Sequence, residues 1–175
     1  MTAAQTSMDR DTSALQPQFD ALLGQHRRIV FKVAGTYARE PHDRADLAQE
    51  IAVQAWRSFA GFDAQRPFST WLYRIALNVA ISFARSARQR ERHAVALDEQ
   101  LHDVAADAPS ADDERVRALY RVIDRLGALD RALLLLYLDD RSYREIAEIL
   151  GITETNVATK IARLKQRLRD EMRDE

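Results

Sequence analysis

Ser142-Tyr143-Arg144-Glu145-Ile146-Ala147-Glu148-Ile149-Leu150-Gly151-Ile152-Thr153-Glu154-Thr155-Asn156-Val157 is the stretch on which the reading of this 175-residue chain turns. Ser142 with Glu145 three residues on is a capping box, in which a hydroxyl and a carboxylate satisfy backbone donors reciprocally. Ile146, Ala147 and Leu150 then give the helix a face to bury. Gly151 tolerates the left-handed backbone of a sharp stop, Ile152 can plug the gap between two helices, and Thr153 is placed to cap the second. Beyond it Val157, Ile161, Leu164 and Leu168 recur at helical spacing. That leaves Thr155, Asn156, Thr159, Lys160 and Arg163 together on the other face. Small Ala147, turning Gly151 and buried Val157 have the separations of a helix-turn-helix, whose second helix projects to enter the major groove. Lys165, Arg167 and Arg169 extend the positive side, where they would meet phosphates and set position without reading sequence. The bland alternative is a helical hairpin with a solvated basic face.

Upstream, Val116, Leu119, Tyr120, Ile123 and Leu126 resume a helical period before the apolar run Leu133 to Leu138, so a compact helical unit surrounds the motif. Before that, from Ala94 to Glu114, Asp98, Glu99, Asp103, Asp107, Asp112, Asp113 and Glu114 accumulate without a single Lys or Arg, and Pro109 interrupts. This reads as an acidic linker.

The N-terminal half predicts three more helices. From Phe19 the positions Leu22, Leu23, His26, Ile29, Val30, Val33 and Tyr37 form one stripe that ends near Glu40 and Pro41. After His42, Leu47, Ile51, Ala55 and Phe59 form a second, widened by Ala48, Ala52 and Trp56 until Gly61. A third helix opens near Ser69 and buries Trp71, Leu72, Ile75, Ala76, Val79 and Phe83. It runs out in a basic stretch, Arg85, Arg88, Arg90 and Arg92. Asp46, Gln49, Glu50, Val53 and Arg57 lie opposite the second stripe, so they form either a solvated face or a docking surface. Arg74, Asn78, Arg85 and Arg88 lie broadly away from the third stripe, near a loop containing Phe62 and leading to Phe68 and Trp71. Aromatics beside cations suit unstacked bases, while large aromatics equally suit a core. Residues 1–15 show no helical periodicity and read as a frayed tail.

Composition agrees with an all-α chain of two small helical domains joined by a flexible acidic linker, the C-terminal one a helix-turn-helix. Charged residues make up 30% of the chain against five glycines and four prolines, which suits solvent-facing helices rather than turn-rich β architecture. The net charge of -1 gives no global basic excess, so any DNA contact must come from local patches. Without cysteine there is no disulfide, thiolate zinc site or thiol switch. The longest apolar run, Ala132 to Leu138, is far below the roughly 18 residues that span a bilayer, and the expectation is a cytoplasmic chain with no membrane insertion.

Asp46-Leu47-Ala48-Gln49-Glu50, Ala55-Trp56-Arg57-Ser58-Phe59 and Phe68-Ser69-Thr70-Trp71-Leu72-Tyr73-Arg74-Ile75-Ala76-Leu77-Asn78 resemble region two of the extracytoplasmic-function (ECF) class of RNA polymerase sigma factors. The helix-turn-helix resembles their region four, and the likeness extends from about Phe19 to Arg169. It implies a region-two domain over 16–92, the linker over 93–113 and a region-four domain over 114–175. Asp46, Gln49, Glu50, Val53 and Arg57 would then bind core polymerase. The loop from Gly61 to Pro67, with Phe62, Asp63 and Arg66, would capture a flipped base of the minus-ten element, and Arg74, Asn78, Arg85 and Arg88 would lie near the melted strand. Extruding a base costs a few kcal/mol, which the pocket and backbone contacts must offset. Thr153, Thr155, Asn156, Thr159, Lys160, Arg163, Lys165 and Arg167 would serve the minus-thirty-five element. The implied partners are bacterial core RNA polymerase, promoter DNA and an anti-sigma factor. Two departures bear on whether a relative's promoter sequence carries over: Ser82 stands where many relatives carry an acidic residue, and Thr155-Asn156-Val157-Ala158-Thr159-Lys160 differs from the commoner order at the start of the recognition helix.

Two other classes compete. A helix-turn-helix regulator that never joins the polymerase would leave the face from Asp46 to Arg57 without a purpose. A helical metalloenzyme would need paired ligands, and His26, His42, His93 and His102 show no helical His-x-x-x-His or Glu-x-x-His spacing. There is no glycine-rich phosphate loop or nucleophile elbow. No catalytic residue, cofactor or metal is expected, and the protein would supply binding energy and strand trapping while the chemistry stays in the polymerase.

Overall fold

A computed structural model describes the backbone of residues 3–94, 123 and 125–171, and the side chains of 15–90, 123 and 125–170. Six α-helices and one short 3-10 turn make up the regular structure among these residues, with no strand. The chain divides into two compact units between Phe83 and Ala84. The acidic linker, and the start of the helix expected from Val116, lie outside the described residues.

The first unit holds α1 (Ala3–Tyr37), α2 (Pro41–Ser58), the 3-10 turn Phe59–Gly61 and the beginning of α3 (Phe68–Ala94). Helix α1 starts at Ala3, so residues 3–15, read from the sequence as a frayed tail, carry helical backbone. Ala, Gln, Met and Arg favour helix by intrinsic propensity even where no apolar stripe announces it. Pro17 sits inside α1 and removes one rung of its ladder. Ile29, Val30, Val33, Ala34 and Tyr37 of α1 pack against Leu47, Ile51 and Ala55 of α2, all buried. Arg44 fastens the turn between them: its Nη2 donates to the Arg39 carbonyl at 3.0 Å and its Nε to that of Ala38 at 3.4 Å. Pro41 occupies the first turn of α2 rather than ending α1, because its missing N–H is an orphan there anyway.

An aromatic cluster closes the lower end of this core. Phe59 is its hub, with ring centroids of Phe19, Phe62, Trp71, Phe68 and Trp56 at 5.1, 5.8, 6.1, 6.4 and 6.5 Å. On α3 the deeply buried residues are Phe68, Leu72, Tyr73, Ala76, Leu77 and Ala80, while Trp71, Ile75, Val79 and Phe83 are half-buried. The buried face is thus rotated by about one position from the stripe expected from the sequence. Phe68 and Tyr73 drive the rotation by carrying the large rings that fill the core.

The second unit holds α4 (Ala128–Leu138), α5 (Tyr143–Leu150) and α6 (Glu154–Glu171). Both α4 and α5 end on the same device. Asp140 and Gly151 adopt left-handed backbone with φ of 53° and 67°. The next N–H then turns back to the helix, Arg141 to the Leu136 carbonyl and Ile152 to that of Ala147, each at 3.1 Å. Ile146 and Ile149 of α5 meet Val157, Ile161 and Leu164 of α6 in the core. Ile149 takes the place expected for Leu150, which is half-buried with Ala147. Leu126 packs with Leu134 and Leu164, and Ile123 and Leu168 lie against them.

Two substitutions separate packing from backbone strain. Phe59→Ala removes the hub of the aromatic cluster and is expected to cost about 3–5 kcal/mol in denaturant unfolding. Gly151→Ala should cost about 1–2 kcal/mol from the left-handed backbone alone, because an added Cβ meets nothing within 4 Å.

Candidate nucleic-acid interface

The capping box at the start of α5 is complete. Glu145 N–H donates to Ser142 Oγ at 3.2 Å, Ser142 N–H donates to Glu145 Oε2 at 2.9 Å, and the Ser142 hydroxyl donates to the same oxygen at 2.8 Å. Arg141 Nη1 holds Glu145 Oε1 at 3.2 Å. The Ser142 hydroxyl first, then its N–H and Arg141, keep the Glu145 carboxyl below its ordinary pKa against an opposing effect of burial. Thr153 Oγ1 accepts from the Asn156 N–H at 3.2 Å and starts α6. Thr153 is therefore a cap whose hydroxyl is engaged, at the rim of the proposed reading surface.

With Val157, Ile161 and Leu164 buried, Thr155, Asn156, Thr159, Arg163 and Arg167 are exposed along α6 and Lys160 is half-buried beside them. The Thr159 hydroxyl donates to the Thr155 carbonyl at 2.9 Å, leaving its lone pairs outward. Lys160, Arg163 and Arg167 border a cavity of about 210 Å³ shared with Leu164 and Asp130. Lys165 stands on the far flank of the buried stripe, its Nζ 4.2 Å from the Tyr137 ring centroid. Hydrogen bonding to Tyr137 raises its pKa. Lys165 is thus drawn toward α4 and away from the Thr155 face.

In the first unit the face of α2 opposite the core is outward: Asp46, Gln49, Glu50 and Arg57 are exposed and Val53 is half-buried. His42 Nε2 lies 3.4 Å from Asp46 Oδ2, and Gln54 Nε2 donates to Glu50 Oε1 at 2.7 Å. The loop before α3 is internally braced. Asp63 Oδ1 accepts from the Gln65 N–H at 2.9 Å, the Asp63 carbonyl accepts from the Arg66 N–H at 2.9 Å, and Arg66 Nε lies 3.8 Å from Asp63 Oδ2. Phe62 is half-buried, its ring 5.1 Å from Trp71 and 5.4 Å from Phe68, so this aromatic anchors the loop to the core. Asp63 and Arg66 are exposed, as are Arg74, Asn78, Arg85 and Arg88 on α3. Ser82 donates to the Asn78 carbonyl at 2.9 Å. Among the histidines, His26 packs on the Phe68 ring at 5.4 Å, and the side chains of His93 and His102 lie outside the described residues.

Sequence reasoning missed Asp130 and Tyr137. Each is ordinary in its own helix, and only the packing of α4 on α6 brings them to the cations.

A helix-turn-helix with an outward cationic second helix is the arrangement of a DNA-binding protein, and the same chain carries a polar helix face and a basic helix that follows a braced aromatic loop. Residues 22–90 match Sigma-70 region 2 and residues 116–168 match Sigma-70, region 4. CnrH of Cupriavidus metallidurans, an RNA polymerase sigma factor, is 31% identical, with 89% of this chain and 87% of that protein aligned. The ECF sigma factor SigW of Bacillus subtilis is 29% identical over 91% of each. SigE of Mycolicibacterium smegmatis is 32% identical over 90% of this chain, which spans 62% of SigE. Among solved structures, CnrH in complex with the cytosolic domain of CnrY has a TM-score of 0.68 at 21% identity over 95% of both chains. The sigma factor RpoE in complex with the anti-sigma factor NepR from Bartonella quintana has a TM-score of 0.67 at 20% identity, over 89% of this chain and 97% of that one. The chain belongs to the ECF class of RNA polymerase sigma factors.

The capping box gives a pH dependence with a definite sign. Because the folded Glu145 pKa is depressed, its stabilisation is present above the ordinary value of 4.5 and is lost as pH falls below it. Glu145→Gln should flatten stability against pH in that acid window, followed by urea unfolding. Ser142→Ala should cost about 1 kcal/mol at neutral pH.

Proposed function

We propose that the chain is an alternative sigma factor that binds core RNA polymerase, recognises and melts promoter DNA and so directs transcription initiation. The observation that carries this reading is that one chain holds both sigma regions, in order, and its core leaves outward the faces they need on α2, α3 and α6. Region two spans 16–92 and region four 114–175, with 93–113 as the connecting linker. Asp46, Gln49, Glu50, Val53 and Arg57 meet the polymerase. Asp63 and Arg66 of the loop anchored by Phe62, with Arg74, Asn78, Arg85 and Arg88, hold the melted minus-ten strand. Thr155, Asn156, Thr159, Lys160 and Arg163 read the minus-thirty-five element, with Arg167 on phosphate, Thr153 capping the helix and Lys165 at its flank.

The protein contributes binding energy and strand trapping, with no bond made or broken on its own residues, and it works in the cytoplasm. No described helix is long and apolar enough to cross a membrane. CnrH and RpoE were solved with CnrY and NepR, and an anti-sigma partner for this chain is part of the same reading.

Transcription in vitro from a genomic promoter library, by sigma-free core polymerase with and without the protein, tests the proposal. New starts sharing a spaced pair of upstream motifs are expected. Asn156→Ala should remove about 1–3 kcal/mol of discrimination within the upstream motif alone. A charge reversal at Glu50 should lower initiation at every start. No new starts, with the protein alone shifting duplex DNA, would instead establish a regulator that does not join the polymerase.

A further inference from the structure

The cavity of about 210 Å³ on the second unit is lined by Asp130, Lys160, Arg163, Leu164 and Arg167. Three cations along one side of a helix make an attractive surface for phosphate. The carboxylate among them is the anomaly. Asp130 is half-buried in the first turn of α4, where a negative charge favours the helix N-terminus. That preference would be met equally by a side chain turned to solvent, whereas Asp130 lines the same cavity as the cations of α6. A partly desolvated charge is poorly screened, so its field reaches the space a phosphate would occupy.

We propose that Asp130 is an electrostatic counterweight that prevents α6 from holding duplex DNA through phosphate contacts alone. The inference rests on the reading of α6 as the helix that enters the groove. Affinity for DNA of arbitrary sequence is almost wholly electrostatic, arising from the counterions that Lys and Arg release from the backbone. A carboxylate beside Lys160, Arg163 and Arg167 subtracts from that attraction, and Thr155 and Asn156 keep their donors, and Thr159 its outward lone pairs, for base edges. Retention on duplex therefore requires correct bases or the additional grip of the polymerase.

The test measures binding of the full chain to a fluorescent random-sequence duplex by anisotropy across a range of salt, for the parent, Asp130→Asn, Asp130→Ser and Arg163→Ala. Both Asp130 variants are expected to bind roughly three- to tenfold more tightly at low salt, with the logarithmic salt dependence steeper by about 0.9, the contribution of one additional phosphate contact. The gain should shrink as salt rises. Thermal unfolding of the same variants reports any lost capping of α4 separately. If Arg163→Ala weakens binding while both Asp130 variants stay within twofold of the parent, the counterweight is wrong and the reading of α6 stands. Weaker binding by the Asp130 variants would also overturn it, making Asp130 an orienting partner of the arginines. If Arg163→Ala leaves binding unchanged, the reading of α6 fails and the inference with it.

Discussion

The stop at Gly151 is the constraint on which the DNA-reading unit depends. A left-handed residue after Leu150 sends the chain off α5 at an angle that seats Val157, Ile161 and Leu164 against Ile146 and Ile149. Once those five side chains are buried, the helical period leaves no choice about what is outward. Thr155, Asn156, Thr159 and Arg163 face away because the core has claimed the other side. Ser142 and Glu145 before the turn and Thr153 after it settle the donors that α5 and α6 would otherwise leave open. The recognition surface is a by-product of satisfying backbone and core together.

The first unit solves a different problem, which is how to keep a loop in shape beside helices whose polar faces stay exposed. Phe59 supplies the answer by gathering rings from α1, α2, the loop and α3. Phe62 belongs to this assembly, so the loop is tied to the interior at one end, and the turn at Asp63 braces the rest. Arg44 does comparable service at the other end of α2 by holding the carbonyls of Ala38 and Arg39 in the link that follows α1. The polar face of α2 is thus presented on a helix restrained at both termini.

Much of this was legible in the sequence because short-range chemistry decided it. The capping box, the left-handed glycine, the Thr153 cap and the stripes on α1, α2 and α6 depend on residues at most four apart and appear as expected. What escaped depends on tertiary packing. On α3 both neighbouring stripes are apolar, and the choice between them rests on how Phe68 and Tyr73 fit against the other helices. The same holds for Ile149 over Leu150. Residues 3–15 have propensity without periodicity, so a search for stripes passes over them. Lys165 reads as one more cation until Tyr137 is seen beneath it, and Asp130 has no local signal of its relation to Lys160, Arg163 and Arg167.

The anchoring of Phe62 also bears on how such a chain can diverge. Substitution at an exposed position of α6 disturbs neither the core nor a cap, so Thr155, Asn156 and Thr159 are free to drift at little cost to folding. The loop has no such freedom at its ring, because replacing Phe62 empties part of the assembly around Phe59. On the proposed reading, a change of DNA preference disturbs the fold least when it falls on α6, whereas a change at Phe62 has to be matched by its aromatic neighbours.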